Sequence, residues 1–364
     1  MIMSGRRGGA PLPQSAPRPG DEVLRIDGLE VEFGSGPART TALRGIDLTL
    51  HAGRVLGVAG ESGCGKTTSA LAVMGLLPRG AAVRGSIRYR GTELLGLPEK
   101  ELRRYRGRHL AMIFQETTTA LNPVIRAGDQ LMMAARAHVR GSRADARERV
   151  RAALTDVRLA DADRVMASYP HELSGGMCQR VIIAMALSCG SAVLFADEPT
   201  TALDVSVQEE ILGLIRGLVT RRRLAVMMIS HDLAVLADVC DDIAVMYRGE
   251  IVESGPAPAV LGSPAHPYTR GLLDCLPTLQ GRRDTLPELP SDPAGTPTVP
   301  GCRFRPRCGW AVDACREPPD LVPVLAGQPR TSRCWRSTAV LGHGAREAGR
   351  APGIPAAADH EGRG

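Results

Sequence analysis

Two short runs carry residue types and spacings suited to chemistry. The first is Gly60-Glu61-Ser62-Gly63-Cys64-Gly65-Lys66-Thr67, a G-x-x-x-x-G-K-T loop between an apolar run at 55–58 and a predicted helix through 70–74. Phosphate oxygens are bound by several converging backbone N–H groups, and glycines let the chain curl closely enough to supply them. Lys66 in such a loop reaches the β- and γ-phosphates, and the Thr67 hydroxyl helps to hold Mg²⁺. Lys66 and Lys100 are the only lysines among 45 basic residues, which sets Lys66 apart from a general basic surface. The second run, Val193-Leu194-Phe195-Ala196-Asp197-Glu198, is an apolar strand ending in two carboxylates. Asp197 is placed to complete a Mg²⁺ shell and Glu198 to polarise an attacking water. Together the runs predict hydrolysis of a nucleoside triphosphate.

The elements that must position these residues follow from the apolar pattern. Residues 23–33 and 42–50 alternate apolar and polar, as half-buried strands do. Apolar runs at 55–58, 193–196 and 224–229 alternate with helical stretches such as 205–218, which predicts a mostly parallel α/β sheet. Residues 126–170 read as an inserted helical lobe, with runs at 129–138 and 144–157. From about residue 262 the chain turns Pro-rich with clustered Cys, the mark of a small appended domain. Disordered tails are expected at 1–20 and 336–364.

Composition narrows the function classes. The chain has 364 residues, 43% apolar and 23% charged, which excludes a collagen-like or wholly disordered protein. The net charge of +6 is concentrated at the ends: residues 1–20 carry +3 and residues 336–364 carry +1. The body is near neutral, which disfavours a nucleic-acid groove. The longest apolar stretch, 181–196, is 16 residues and is interrupted by Ser188, Gly190 and Ser191, too short for a membrane span. No apolar leader opens the sequence, and nine Cys without an export signal point to a reducing compartment.

Further motifs resemble one family. Leu173-Ser174-Gly175-Gly176-Met177-Cys178-Gln179-Arg180 resembles the signature sequence of ATP-binding-cassette (ABC) proteins. Phe114-Gln115-Glu116 resembles the Q-loop, Thr201-Ala202-Leu203-Asp204 the D-loop, and Ile229-Ser230-His231-Asp232 the switch-histidine loop, all in the family's order. The resemblance implies a P-loop α/β ATPase core with an antiparallel β subdomain and a helical subdomain (about 116–185). It implies ATP binding by Phe33, stacked on adenine, by residues 60–67 and Thr68, and by Gln115. Gln115 joins Thr67 and Asp197 at Mg²⁺, and Lys66, Glu198 and His231 serve hydrolysis. Ser174, Gly175, Gly176 and Met177, which cap a helix, grip the γ-phosphate in a partner subunit's site. Asp204 belongs to the interface loop.

Leu121-Asn122-Pro123, Met246-Tyr247-Arg248-Gly249 and His266-Pro267-Tyr268-Thr269-Arg270 narrow the resemblance to the ATP-binding subunits of dipeptide, oligopeptide and nickel importers. That group implies a second ATPase subunit, two transmembrane permeases, an extracytoplasmic binding protein and a place on the cytoplasmic side of the membrane. It divides the chain into an ATPase domain at 21–261 and a C-terminal domain at 262–335. Departures are Thr117, where the group has Pro, and Cys178, where it has Arg. Cys302, Cys308, Cys315 and Cys334 resemble the group's C-terminal cysteines; four thiolates suit a [4Fe–4S] cluster or Zn²⁺, and unliganded thiols that pack are the alternative. Cys64, Cys189, Cys240 and Cys275 are expected to pack. A nickel importer is the alternative within the group. An ABC ATPase acting on DNA or ribosomes is the alternative outside it; only 113 residues lie between Gly60 and Ser174, with no heptads for a coiled coil.

Overall fold

A computed structural model describes residues 17–36, 39–115, 120–138, 141–201, 203–275, 289 and 300–348. The chain divides into two compact units between Ala257 and Pro258, a few residues before the expected boundary at 261.

In the first unit, β1 (Glu22–Phe33) and β2 (Thr40–His51) pair antiparallel, with Ile26 opposite Leu48 and Val31 opposite Leu43. The alternating pattern places Leu24, Ile26, Leu29 and Val31 in the core. β3 (Val55–Ala59) leads through the glycine-rich loop into α1 (Lys66–Met74). β4 (Ala82–Tyr89) pairs with the other side of β1, and β5 (Thr92–Glu93) completes a four-stranded antiparallel sheet. After the short α2 (Glu99–Leu102), β6 (Leu110–Ile113) enters a second sheet.

The helical lobe follows: α3 (Ala127–His138), α4 (Arg143–Asp156), α5 (Ala162–Ala167) and α6 (Gly175–Leu187). Ser142 and Asp145 form a reciprocal capping box at the start of α4, satisfying two orphan N–H donors. The Arg180 guanidinium, near the start of α6, donates to Val157 O at 2.9 Å and pairs with Glu210 at 2.7 Å, tying the lobe to the core.

β7 (Val193–Asp197), α7 (Val205–Arg222), β8 (Ala225–Ser230), α8 (Leu233–Val239), β9 (Asp242–Tyr247) and β10 (Glu250–Pro256) complete the unit. The parallel strands lie in the order β9-β3-β8-β7-β6, with β10 antiparallel against β9. Residues 193–196 and 225–229 are inaccessible to solvent, so these strands read as unbroken apolar runs rather than alternating ones. Their C-terminal ends share one edge, where ligands of open α/β sheets bind.

The second unit contains α9 (Pro267–Asp274), a two-residue ladder of β11 (Val322–Pro323) with β12 (Thr331–Ser332), and α10 (Ser337–Ala348). The last corrects the expected tail at 336–364. Residues 337–348 are helical because Ala, Leu and Arg favour helix, and the Ser337 hydroxyl ties the helix start to Cys334 O at 2.9 Å. Residues 349–364 and 1–16 lie outside the described residues, while 17–20 form a turn into β1.

Candidate active site

The phosphate loop closes at both ends on glycines in the left-handed region. Gly60 has φ 147°, and a Cβ there would stand 2.3 Å from Met246 O. Gly65, at φ 111°, caps α1 and passes so close to Ala42 O and Leu43 that a side chain would collide. Cys64 is buried under the loop, and that burial raises its thiol pKa. Ser62 and Gly63 stand exposed at the crown, with Glu61 half-buried beside them. Lys66 is only 6% exposed, and its Nζ donates to Gly60 O at 2.7 Å and to Glu61 O at 2.9 Å. The lysine ammonium therefore stands inside the curl of the loop, held by two of its carbonyls.

Asp197 ends β7, 2% exposed. Burial raises its pKa; the Thr67 hydroxyl, hydrogen-bonded to it, and the Lys66 charge oppose this, while Glu198 reinforces it. A buried carboxylate next to a hydroxyl and an ammonium suits a divalent cation, which would supply the positive charge that burial makes scarce. Thr67 and Asp197 fit Mg²⁺ in donor type and placement.

Glu198 adopts φ 45°, an unusual conformation for a non-glycine residue, and its N–H donates to Ile229 O at 2.9 Å. Its carboxylate gathers three partners: His231 Nδ1 lies 2.7 Å from Oε1, while Gln115 Nε2 and the Thr201 hydroxyl each donate to Oε2 at 3.0 Å. Burial raises the Glu198 pKa, but the His231 and Thr201 hydrogen bonds outweigh it and hold the carboxyl below its usual range. Glu198 is thus an ionised carboxylate with fixed orientation, suited to orienting a water as a base.

Gln115 is found on Glu198 in this structure, whereas the family resemblance places it at Mg²⁺. Its predicted neighbours Glu116 and Thr117, and Ala202 of the D-loop, lie outside the described residues. Phe33 sits half-buried at the end of β1, opposite Thr40, and Thr68 is half-buried in the first turn of α1.

The signature residues are not gathered with the phosphate loop. Ser174 caps α6, accepting from Met177 N at 3.3 Å, and is exposed, while Gly175 and Gly176 lie against Leu203 and Val207. Asp204 caps α7, accepting from Val207 N at 2.9 Å and from the Ser206 hydroxyl at 2.7 Å. The signature and D-loop segments therefore adjoin each other. Cys178 donates to Pro170 O at 3.4 Å, a local contact in place of the Arg expected there.

Two contacts escaped the sequence reading. One is Thr201 on Glu198; the signal was its position three residues on, in a Pro-containing turn. The other is Gln179 of α6, 1% exposed, whose Nε2 donates to Pro199 O at 2.5 Å.

An apolar groove between the helical lobe and the core is lined by Met74, Leu76, Leu110, Phe114, Ile182 and Met185, with Leu76 41% and Phe114 47% exposed.

In the second unit, Cys302, Cys308, Cys315 and Cys334 line one cavity with His266 and Trp310. Burial raises the Cys308 and Cys334 thiols to about 11, opposed at Cys334 by a hydrogen bond from Arg336 N at 3.3 Å. Four converging thiols suit a thiolate-bound centre in type. Among the described residues, however, no group of three or more His, Cys, Asp or Glu is arranged to hold a metal ion, so the iron–sulfur expectation draws no support from their spacing. Cys64, Cys189 and Cys240 are buried and Cys275 is half-buried, as packing residues are.

No helix among the described residues is long and apolar enough to cross a membrane. Residues 43–201 match the model of the ABC transporter family, and residues 252–315 match the oligopeptide/dipeptide transporter C-terminal region. The chain is 44% identical to a probable peptide ABC transporter ATP-binding protein of Sinorhizobium fredii, over 90% of this chain and 98% of that protein. It is 43% identical to the oligopeptide transport ATP-binding protein OppD of Salmonella typhimurium, covering 86% and 94% of the two chains. It is 41% identical to the dipeptide transport ATP-binding protein DppD of Escherichia coli, covering 86% and 96%. Among solved structures, a dimeric bacterial ABC transporter cassette superposes with a TM-score of 0.57 at 26% identity, over 64% of this chain and 98% of that one. A phosphate loop, a buried Asp197 and a fixed Glu198 on this fold, with relatives alike along nearly their whole length, place the chain in the ABC transporter family as an ATP-binding, ATP-hydrolysing subunit.

Proposed function

We propose that this chain powers peptide import through partner permeases from the cytoplasmic side of the cell membrane. The observation that carries the reading is the coexistence in one chain of a Glu198 carboxylate anchored by His231 and Gln115 with a match of residues 252–315 to the oligopeptide/dipeptide transporter C-terminal region. The peptide transport names of the relatives agree with it.

The proposed domains are a cassette at 21–261 and a C-terminal domain at 262–335. In the proposed site the N–H groups of residues 60–67 and Lys66 bind the β- and γ-phosphates, and Phe33 stacks on the base. Thr67 and Asp197, together with Gln115, would hold Mg²⁺. When bound, the cation neutralises charge on the phosphates. Glu198 orients the attacking water, and His231, on the other carboxylate oxygen, fixes that orientation.

The exposed caps at Ser174 and Asp204 support a partner ATPase subunit, arranged head to tail so that its signature loop completes this site. The apolar groove supports a permease docking segment, because exposed Leu76 and Phe114 lose water contact when covered. A [4Fe–4S] cluster held by Cys302, Cys308, Cys315 and Cys334 is proposed on donor type alone, since the four thiols line one cavity without the spacing of a formed metal site. Visible absorption and iron content after anaerobic purification test that part.

The test of the transport reading is isolation of the tagged chain from membranes in mild detergent, followed by reconstitution of what co-purifies. Two permeases and peptide uptake dependent on ATP are expected. Nickel uptake without peptide uptake, or ribosomes or DNA in place of permeases, would overturn it.

A further inference from the structure

We propose that Thr201 is a positioning residue for ATP hydrolysis, whose hydroxyl keeps one oxygen of Glu198 anchored throughout turnover. The inference rests on the reading of Glu198 as the residue that orients water.

The turn that carries Glu198 is pinned by its backbone on two sides. Glu198 N–H donates to Ile229 O at 2.9 Å, which ties the turn to β8. Pro199 O accepts from the buried Gln179 amide at 2.5 Å, which ties it to α6. Thr201 N–H closes the turn on Glu198 O at 3.2 Å. What remains free is the Glu198 side chain, and three donors or partners settle it.

Those three differ in how they are attached. Gln115 lies two residues beyond the end of β6, and His231 lies just beyond β8, so each reaches Glu198 from a separate strand. Any shift between strands or loops changes both distances. Thr201 belongs to the same four-residue turn as Glu198, so its hydroxyl travels with the carboxylate. Oε2 receives both Gln115 and Thr201. If Gln115 turns to the cation, Thr201 is the donor that stays on Oε2, and Oε1 keeps His231. A carboxylate held by one donor on each oxygen has its plane fixed, and a misplacement of about 1 Å in such a group costs on the order of 100-fold in rate.

The experiment compares Thr201→Val, which keeps the shape and removes the hydroxyl, with Thr201→Ser, which keeps it. ATP hydrolysis by the whole transporter complex and equilibrium binding of ATP are measured for both. Thr201→Val is expected to lower kcat by about 10-fold or more, the scale of one hydrogen bond to a charged group, with KM and Kd for ATP within about two-fold of the parent. Thr201→Ser is expected to recover most of that loss. A kcat for Thr201→Val within about two-fold of the parent, a Thr201→Ser variant as slow as Thr201→Val, or a parallel loss of ATP binding would each overturn the proposal. Glu198→Gln, run alongside, separates two failures. An active Glu198→Gln removes the underlying reading, whereas an inactive Glu198→Gln beside a normal Thr201→Val removes only the role of Thr201.

Discussion

His231 Nδ1 lies 2.7 Å from Glu198 Oε1, across the C-terminal ends of two adjacent parallel strands. The contact joins residues 33 positions apart, and it requires only that β7 and β8 be neighbours in register, with Asp197 opposite Ile229. Removing either partner therefore tests the site directly. Glu198→Gln is expected to lower single-turnover phosphate release by about 100-fold or more while ATP still binds. His231→Ala should lower it less, because the Thr201 hydroxyl still holds the other carboxylate oxygen. Rapid-quench measurement with labelled ATP distinguishes the two.

Lys66 donates to the carbonyls of Gly60 and Glu61. Lys66→Ala removes the ammonium without filling the loop, so the fold is expected to survive and phosphate binding to fail. Saturating Mg-ATP at about 100 Kd stabilises a binding protein by about 2.7 kcal/mol. The parent should show that rise in melting temperature, and Lys66→Ala should show none.

Gly60→Ala places a Cβ 2.3 Å from Met246 O in a backbone conformation alien to L residues. The expected cost is about 1–3 kcal/mol, with loss of ATP binding because the loop must move off β9. Urea denaturation and a nucleotide-binding titration read the two effects separately.

His109 supplies a pH prediction. Burial, then repulsion from Arg108 and Arg90, lowers its pKa from 6.5 to about 4; Nδ1 meets the Tyr89 hydroxyl at 3.3 Å and Nε2 is buried with no partner. The folded protein therefore binds fewer protons here than the unfolded chain between pH 6.5 and 4. This contribution to stability is full above pH 6.5 and is lost as pH falls toward 4. His109→Phe should flatten that part of the stability–pH curve, and urea midpoints at pH 7, 6 and 5 would show it. An unchanged slope would assign the acid sensitivity to other groups.

The division between sequence and tertiary structure follows the range of the interactions. The phosphate loop, the strand ending in Asp197 and Glu198, and the cap at Ser174 were legible because each depends on neighbours within a few residues: glycines that permit the curl, apolar residues that bury a strand, a hydroxyl that meets an N–H three positions on. The strands at 193–197 and 225–230 stood out for the same reason, since burial on both faces leaves an unbroken apolar run. The helix at 337–348 was misread as tail because Gly and Arg among alanines look like a solvated segment, while the hydroxyl contact of Ser337 that fixes its start is a matter of placement. Family motifs supplied the names of Gln115 and His231. Only the strand order β8-β7-β6 brought both onto Glu198, and only the turn at 198–201 turned the Thr201 hydroxyl onto the same carboxylate. Local chemistry is written in adjacent residues; the convergence of side chains from separate strands is decided by which strands pair, and that pairing is settled by burial of the whole sheet.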